Sequence, residues 1–198
     1  MTPQDILNIG RKTLHNEAET LRQIEHSLDD SFVEAVELIF ACRGKVVVTG
    51  MGKSGIIAHK IAAMLTSTGT PALFLHPAEA LHGDLGIIAK GDILLALSHS
   101  GQTEEVCRVA DYTSSLGNNI ISLTSHRDSL LAKKSNIVLC AEVKCEDCLL
   151  NIVPTASTTA HLALGDAIAT ALMYKRNFHL EDFRRLHPEG ITVNHKND

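Results

Sequence analysis

The stretch DILLALSHSGQTEE, from Asp92 to Glu105, contains the pattern that decides the fold. Its aliphatic run from Ile93 to Leu97 has the length of a buried β-strand. Hydroxyl side chains follow around Gly101, and a helical pattern begins near Thr103. A buried strand that passes through a turn directly into a helix is typical of parallel α/β sheets, whose strands are covered by helices on both faces.

The same alternation of apolar runs and amphipathic segments continues on either side of this stretch. The other strand candidates are KVVVTG (45–50), PALFLH (71–76), NIISLTS (119–125) and NIVLCAE (136–142). Helical stretches are predicted between the strands, beginning near Ser54, Ala78, Thr103 and Asp128. This order implies right-handed crossovers. The sequence therefore predicts a three-layer α/β/α fold with a five-stranded parallel sheet of the flavodoxin-like kind.

Further helices are predicted at both ends of the chain. An apolar stripe at every seventh position indicates an N-terminal helix: Leu7, Leu14, Leu21 and Leu28. It packs either on its own domain or on another subunit. A second helix from Ser31 to Cys42 follows, and a long helix from about Ser157 to Arg176 and a short one near Glu181 close the chain. We predict one domain with an N-terminal helical segment (1–43), an α/β core (44–176) and a C-terminal tail (177–198).

Composition and charge exclude several classes of protein. The 198 residues include 18 basic and 23 acidic side chains, for a formal net charge of −5, with five Phe, two Tyr and no Trp. Without a basic block or an aromatic stacking surface, we expect neither a nucleic-acid partner nor a membrane partner. The run from Ile93 to Leu97 is the longest aliphatic one and is far below the roughly 20 residues that span a bilayer. The N-terminus shows no export signal, so we expect a cytoplasmic protein.

The spacing of the cysteines does not match a disulfide framework. There are five, at irregular spacing, and only Cys145 and Cys148 form a CxxC pair. A zinc ribbon needs a second pair, and Asp147 beside Cys148 disfavours a thiolate. We therefore expect buried or half-buried thiols rather than a functional dithiol.

Two strand-to-helix junctions carry residues that suit an anion. The first is GMGKSG (50–55), which combines glycines for a tight turn, Lys53, and Ser54 at the expected helix N-cap. At the second, the hydroxyls of Ser98, Ser100 and Thr103 surround a glycine at a helix N-terminus. Such donors suit the phosphate monoester of a small molecule; an ordinary N-cap with surplus hydroxyls is the alternative.

These junction motifs resemble the sugar isomerase (SIS) domain, which binds phosphosugars. The residues that carry the resemblance are Ser98-His99-Ser100-Gly101-x-Thr103 and Gly50-x-Gly52-x-Ser54. More specific similarity, to the D-arabinose-5-phosphate isomerases, lies in FLHPAEALHGDLG (74–86), PTASTTAHLALGDAIATAL (154–172) and EDFRRLHPEG (181–190). That family supplies the eight-carbon sugar 3-deoxy-D-manno-octulosonate (KDO) of bacterial lipopolysaccharide and capsule. The resemblance runs from about Ile6 to Gly190.

The resemblance implies roles for individual residues. The catalytically relevant side chains it implies are Lys53, Glu105, Glu146 and His187. The substrate contacts it implies are His76 and His82 with Gly69 and Thr70 beside them, and the signature residues Ser54, Ser98, His99, Ser100 and Thr103. It also implies that His76 can hold an inhibitory zinc ion, that the protein is a homotetramer, and that no cofactor is required. Members usually continue into two cystathionine-β-synthase-type domains, so a chain that stops at Asp198 predicts the short form without them.

The chemistry of such an isomerase narrows the roles without assigning them all. Moving a proton between C1 and C2 of the sugar requires a base, a proton donor and a cation, and it requires no metal. His82, His187 and Glu105 are all eligible as the base, and Lys53 can stabilise the enediolate. Two alternatives stay open at this point: another SIS isomerase for a hexulose or heptulose phosphate, and a non-catalytic sensor of a sugar phosphate or of CMP-activated KDO.

Overall fold

The computed structural model describes residues 1–143, 146 and 153–188. Within them, five strands form one parallel sheet in the order β2-β1-β3-β4-β5. The strands are β1 (Val46–Gly50), β2 (Ala72–Leu75), β3 (Ile93–Leu97), β4 (Asn119–Thr124) and β5 (Ile137–Cys140). This is the flavodoxin-like strand order, so the predicted α/β/α architecture is confirmed.

Helices cover both faces of the sheet. They are α1 (Pro3–Ser27), α2 (Asp30–Ala41), α3 (Gly52–Ser67), α4 (Pro77–Ala80), α5 (Glu104–Ser115), α6 (Leu130–Lys134), α7 (Ala156–Lys175) and α8 (Leu180–Leu186). Side chains of α1, α2, α3 and α7 share one apolar cluster with the sheet, and side chains of α4, α5 and α6 share the other.

The strand residues alternate between these two clusters. On β1, Val46 and Val48 pack into the first cluster and Val47 into the second. All residues of β1 and β3 are buried. Burial on both faces explains why these strands are unbroken apolar runs rather than alternating ones.

Two helix starts differ from the sequence-based expectation. The N-cap of α3 is Met51, so Ser54 lies inside the first turn and the prediction of Ser54 as the N-cap is wrong. The physical reason is Gly52, whose φ of 58° lets the chain turn directly after β1. The helix expected near Ala78 has only four residues, and a turn and a short 3₁₀ helix at Asp84–Ile87 follow it. The connection from β2 to β3 is therefore mostly loop.

The first half of α1 does not pack on the body of the protein. A capping box of Thr2 and Asp5 starts the helix, but its only buried residue is Ile24. The large apolar side chains of its first half are 53–70% exposed: Ile6, Leu7, Ile9 and Leu14. Packing on its own domain therefore accounts only for the second half of α1. None of the described helices is both long enough and apolar enough to cross a membrane.

A buried carboxylate ties together the amino edge of the sheet. Asp92, which is 4% exposed, accepts hydrogen bonds from the backbone N–H groups of Lys45 (3.0 Å) and Ala89 (2.8 Å) and from Lys45 Nζ (2.6 Å). Burial alone would raise the pKa of Asp92, but these hydrogen bonds and the lysine charge outweigh it and hold the pKa below its usual range. The network lies at the opposite edge from the loops that carry the predicted site.

Candidate active site

The two strand-to-helix junctions whose residues suit an anion lie side by side at the carboxyl edge of the sheet. Gly50, the last residue of β1, pairs with Leu97, the last residue of β3. Neighbouring strands are about 4.8 Å apart, so the loops that follow them start next to each other. From here β1 connects to β2 on one side and β3 connects to β4 on the other. We call the space between loops 50–54 and 98–105 the switch-point crevice, because ligands of such sheets bind where the strand order reverses.

The first loop of the crevice depends on two glycines. A Cβ atom on Gly55 would lie 2.5 Å from the Gly50 carbonyl oxygen, and one on Gly50 would lie 2.9 Å from the Ser54 backbone. This close approach brings the start of α3 directly onto the end of β1. Lys53 is exposed and Ser54 is half-buried in the first turn, which contains no acidic residue. The positive end of the α3 dipole and one cation therefore remain available to an anion.

The second loop is held in shape by its own hydroxyl groups. Ser98 is buried, its Oγ lies 2.9 Å from Thr103 Oγ1, and it accepts a hydrogen bond from the Gly101 N–H at 3.1 Å. Gly101 adopts a φ of 63° and abuts the side chain of Ser129, where a Cβ does not fit. Ser100 is exposed at the tip of the loop. Ser98 therefore shapes the loop, while Ser100 is open to a ligand.

Two glutamates lie at helix N-termini near the crevice. Glu105 is half-buried in the first turn of α5. Glu146 accepts hydrogen bonds at Oε2 from the N–H of Thr155 (2.8 Å), its hydroxyl (3.1 Å) and the N–H of Ser157 (3.3 Å), so it caps α7. Burial would raise the pKa of Glu146, but these bonds outweigh it and hold the pKa below its usual range. Glu146 is therefore ionised at neutral pH.

His99 is fixed by a hydrogen bond from the next strand. Its Nδ1 lies 2.9 Å from Ser125 Oγ, and its ring meets that of His126 at a centroid distance of 5.9 Å. Burial lowers the pKa of His99, with a smaller lowering effect from His126, while the Glu146 charge acts in the opposite direction. The ring is therefore predominantly neutral near pH 7.

A second histidine, His161, lies beneath this group. It is 1% exposed on α7, and its Nε2 has no hydrogen-bond partner among the described residues. Burial lowers the pKa of His161 to about 4, with a further contribution from His99 and an opposing one from Glu146. Sequence reasoning missed both His161 and Ser125. A histidine within the apolar stretch of 154–172 was the available signal, whereas Ser125 gave none.

The comparisons with known proteins agree with this geometry. A family model described as the SIS domain matches residues 39–171. The chain belongs to the SIS-domain family. The solved structure of E. coli CFT073 c3406 in complex with arabinose 5-phosphate resembles this SIS domain with a TM-score of 0.91 and 38% identity, over 95% of this chain and 100% of that one.

Two curated relatives of the SIS domain carry the same name. Arabinose 5-phosphate isomerase KdsD of Pseudomonas aeruginosa is 47% identical over 186 residues, which are 94% of this chain and 57% of that protein. The protein of this name from Francisella tularensis is 46% identical over 187 residues, 93% of this chain and 57% of its own length. The SIS domain thus spans a little more than half the length of these relatives. The resemblance found in the motifs is confirmed.

The SIS domain places His76 and His82 at the end of β2. His76 is half-buried at the start of α4, and its Nδ1 is buried without a hydrogen-bond partner in the described part of the chain. Its ring meets Phe74 edge-on at 6.2 Å, beside a cavity of about 490 Å³. His82 is exposed in the turn after α4. Among the residues described, no three His, Cys, Asp or Glu side chains form a group able to hold a metal.

The resemblance implied that Gly69 and Thr70 lie beside His76 and His82. Within one SIS domain, Gly69 and Thr70 do not lie beside His76. They precede β2, at its amino end, whereas His76 follows its carboxyl end. Six residues of extended chain span about 20 Å. Gly69 packs instead against the ring of Phe178, and Thr70 is buried. A strand separates the two groups, so one chain alone cannot bring them to one sugar.

His187 also lies away from the crevice of its own SIS domain. It follows α8, where its ring stacks on Phe183 at 3.9 Å. The neighbouring Leu186 lines a groove with residues of α3 from His59 to Ser67, whereas Lys53 is in the first turn. His59, the residue of this groove that is nearest to Lys53 in sequence, is six residues or about 9 Å further along the helix. The structure therefore unites Lys53 with the second loop but does not bring His187 to them.

The cysteines of the SIS domain have no assigned role. Cys145 and Cys148 lie outside the described residues, so the expectation for this pair stays a prediction. Cys42, Cys107 and Cys140 are free thiols, and burial raises the pKa of each. Raised pKa values disfavour the reactive thiolate.

Proposed function

We propose that this SIS domain is an aldose-ketose isomerase that interconverts D-ribulose 5-phosphate and D-arabinose 5-phosphate through an enediolate. The observation that carries the proposal is the pairing of Gly50 with Leu97, which sets a lysine-bearing loop beside a hydroxyl-bearing loop. The names of its relatives and the arabinose 5-phosphate complex of a similar structure support this choice of substrate.

The phosphate group is assigned to the helix N-termini at the crevice. Ser100 and Thr103 offer hydroxyl groups from the second loop, and Ser54 offers one from the first turn of α3. Ser98 contributes by holding Thr103 in place through the 2.9 Å contact between their hydroxyls. Neutral donors at two helix ends stabilise a phosphate dianion without requiring a basic cluster. This explains how a chain with a net charge of −5 can bind an anion.

Proton transfer is assigned to the side chains around the sugar. A base removes the proton from C2 of the aldose and returns it to C1, while O2 loses a proton and O1 gains one. Lys53 stabilises the negative charge of the enediolate. Glu146 is held ionised by its hydrogen bonds from Thr155 and Ser157. Glu105, His82 and His187 remain the three candidates for the base, because imidazole and carboxylate side chains are the usual general bases of enzymes.

A second subunit is part of the proposal. We infer that His187, whose ring stacks on Phe183 after α8, acts in the crevice of a neighbouring copy. The exposed apolar side chains in the first half of α1, Leu14 above all at 70% exposure, support association of copies through this helix. We assign the protein to a homotetramer, as the family resemblance implies.

Further features of the family complete the proposal. The product would supply KDO for lipopolysaccharide or capsule synthesis, and CMP-KDO is a candidate feedback ligand for the same crevice. The reaction requires no cofactor, and an inhibitory Zn²⁺ is assigned to His76, whose Nδ1 is buried without a hydrogen-bond partner among the described residues. The free thiols of Cys42, Cys107 and Cys140, the cysteines within the described residues, fit a reducing compartment, which supports a cytoplasmic location.

An isomerisation assay on the purified full chain tests the proposal. Ribulose 5-phosphate is supplied and arabinose 5-phosphate is detected by ¹H NMR. Lys53→Ala is expected to abolish turnover, whereas the matched change Lys90→Ala, at an exposed lysine near the amino edge of the sheet, should retain it. Formation of no arabinose 5-phosphate by the unmodified chain would contradict the proposal. A panel of five-, six- and seven-carbon phosphates separates it from a hexulose phosphate isomerase, and binding without turnover would indicate a sensor.

A further inference from the structure

Ser125 links the second loop of the crevice to the end of β5. It is 6% exposed directly after β4, and its N–H donates to the carbonyl of His99 at 3.0 Å. Its hydroxyl lies between His99 Nδ1, at 2.9 Å, and the carbonyl oxygen of Ala141, at 2.5 Å. One side chain thus contacts the loops that follow three neighbouring strands.

The number of protons in this chain of contacts determines the tautomer of His99. A serine hydroxyl has one proton, and a carbonyl oxygen can only accept. Ser125 therefore donates its proton to Ala141, and it must accept a hydrogen bond from His99. The proton of a neutral His99 ring is then on Nδ1, so its Nε2 carries a lone pair.

The surroundings keep that lone pair available. His99 is half-buried, and no described residue hydrogen-bonds to its Nε2. The titratable groups that face it are Glu146 from the segment before α7, His126 from the loop after β4 and His161 from α7. Burial lowers the pKa of both His99 and His161, so the His99 ring is not protonated at neutral pH and Nε2 acts as an acceptor.

We propose that Ser125 is a positioning residue which, by holding the Nδ1–H tautomer of His99, directs Nε2 to accept a hydrogen bond from a hydroxyl group of the sugar chain. His99 lies between Ser98 and Ser100 in the loop assigned to phosphate. An ester-linked phosphate dianion has no proton to donate to the bare Nε2, so the partner of Nε2 is a carbon-bound hydroxyl of the same ligand. This inference rests on the proposed function, because it places a phosphosugar in the switch-point crevice. It adds a specificity element: a polyhydroxylated chain can donate this hydrogen bond, whereas inorganic sulfate, an anion that carries no proton at neutral pH, cannot.

The test is ¹⁵N NMR of the full chain with labelled histidine, with His99 assigned by the spectrum of His99→Gln. We expect the unmodified chain to show a proton on Nδ1 and a bare Nε2. Arabinose 5-phosphate should shift the Nε2 resonance upfield, whereas inorganic sulfate should not. Ser125→Ala should lose the Nδ1–H preference and lower kcat/KM about 10-fold. The control is Ser122→Ala, which removes a buried β4 hydroxyl without a described hydrogen-bond partner and should leave the His99 spectrum unchanged.

The outcomes separate this inference from the proposed function. A proton on Nε2 of His99 in the free protein would overturn the inference, and so would an Nε2 resonance that does not respond to saturating arabinose 5-phosphate. If the tautomer and the response are both as expected but no turnover is observed, the positioning role stands and the isomerase proposal fails. If turnover is observed and Ser125→Ala keeps the tautomer, the isomerase proposal stands and the positioning role fails.

Discussion

The carboxylate of Glu146 accepts a hydrogen bond from the backbone N–H of Thr155 at 2.8 Å and thereby caps α7. The same oxygen also accepts from the N–H of Ser157. The Thr155 side chain makes no capping bond of its own to α7. A charged group brought from outside the helix therefore supplies the cap, and its position is tied to the end of α7.

Replacing Glu146 with glutamine is expected to affect catalysis more than stability. The amide keeps an oxygen that can accept from Thr155 but removes the negative charge near His99. We expect kcat to fall about 100-fold and the free energy of unfolding to fall by about 1 kcal/mol. Glu142→Gln, at an exposed glutamate after β5, is the control in assays and urea unfolding. Unchanged kcat in Glu146→Gln would contradict a catalytic role.

His161 should make stability depend on pH. Its pKa is about 4 in the folded state, against 6.5 for an unperturbed histidine, so the unfolded chain binds more protons between these values and stability is lost as pH falls from 6.5 toward 4. A pKa shift of this size lowers the free energy of unfolding by about 3 kcal/mol between pH 7 and pH 4. Urea unfolding at several pH values should show that His161→Leu lacks this dependence of stability on pH. The control His15→Leu, at a histidine on α1 that is not buried, should keep the pH dependence. The same pH dependence in the unmodified chain and both variants would refute the prediction.

Asp92 should support stability without taking part in turnover. Asp92→Ala leaves the partly buried N–H groups of Lys45 and Ala89 without their acceptor. We expect the free energy of unfolding to fall by about 3 kcal/mol, while kcat of the folded fraction stays unchanged because the network is at the amino edge of the sheet. The two quantities are measured by urea unfolding and by assay below the unfolding range. A lowered kcat with normal stability would show that the two edges of the sheet are coupled.

Gly55 should tolerate no side chain. In Gly55→Ala the new Cβ would lie 2.5 Å from the Gly50 carbonyl oxygen, so α3 must move away from β1. We expect a loss of about 2 kcal/mol in stability and a raised KM for the phosphosugar, because Lys53 and Ser54 move with the helix start. Gly10→Ala is the matched control: no atom lies within 4 Å of its Cβ, and the change should be neutral or stabilising by up to about 1 kcal/mol. Equal effects at the two glycines would be evidence against the close-packed turn.

Mixed oligomers should reveal whether His187 acts between subunits. Lys53→Ala and His187→Ala are each expected to be inactive as pure proteins. If the crevice takes Lys53 from one chain and His187 from another, refolding an equal mixture should restore about a quarter of the sites. Recovery is measured by the isomerisation assay, with size-exclusion chromatography to verify that both variants keep the native oligomer. No recovery in confirmed mixed oligomers would assign His187 to a role within its own chain.

The sequence by itself determined the elements and the kind of chemistry. Residues 46–48 and 93–97 are unbroken apolar runs because both faces of a central strand are buried, and this local pattern was sufficient to predict all five strands and the layered fold. The glycines and hydroxyls that follow these runs indicated both loops of the crevice, because a helix N-terminus after a parallel strand offers unpaired N–H groups and the positive end of a dipole to an anion.

Only the tertiary structure decided which of these residues meet. The pairing of Gly50 with Leu97 depends on the strand order, which no local pattern encodes. The extended β2 puts Gly69 and Thr70 at the opposite end of the strand from His76, although they are close in sequence. Ser125 belongs to no motif, and the motif that contains His161 gave that histidine no role: the contacts of both arise because β4 and α7 pack beside the second loop. Local sequence determines what a segment forms, whereas the neighbours of a side chain follow from how the segments pack.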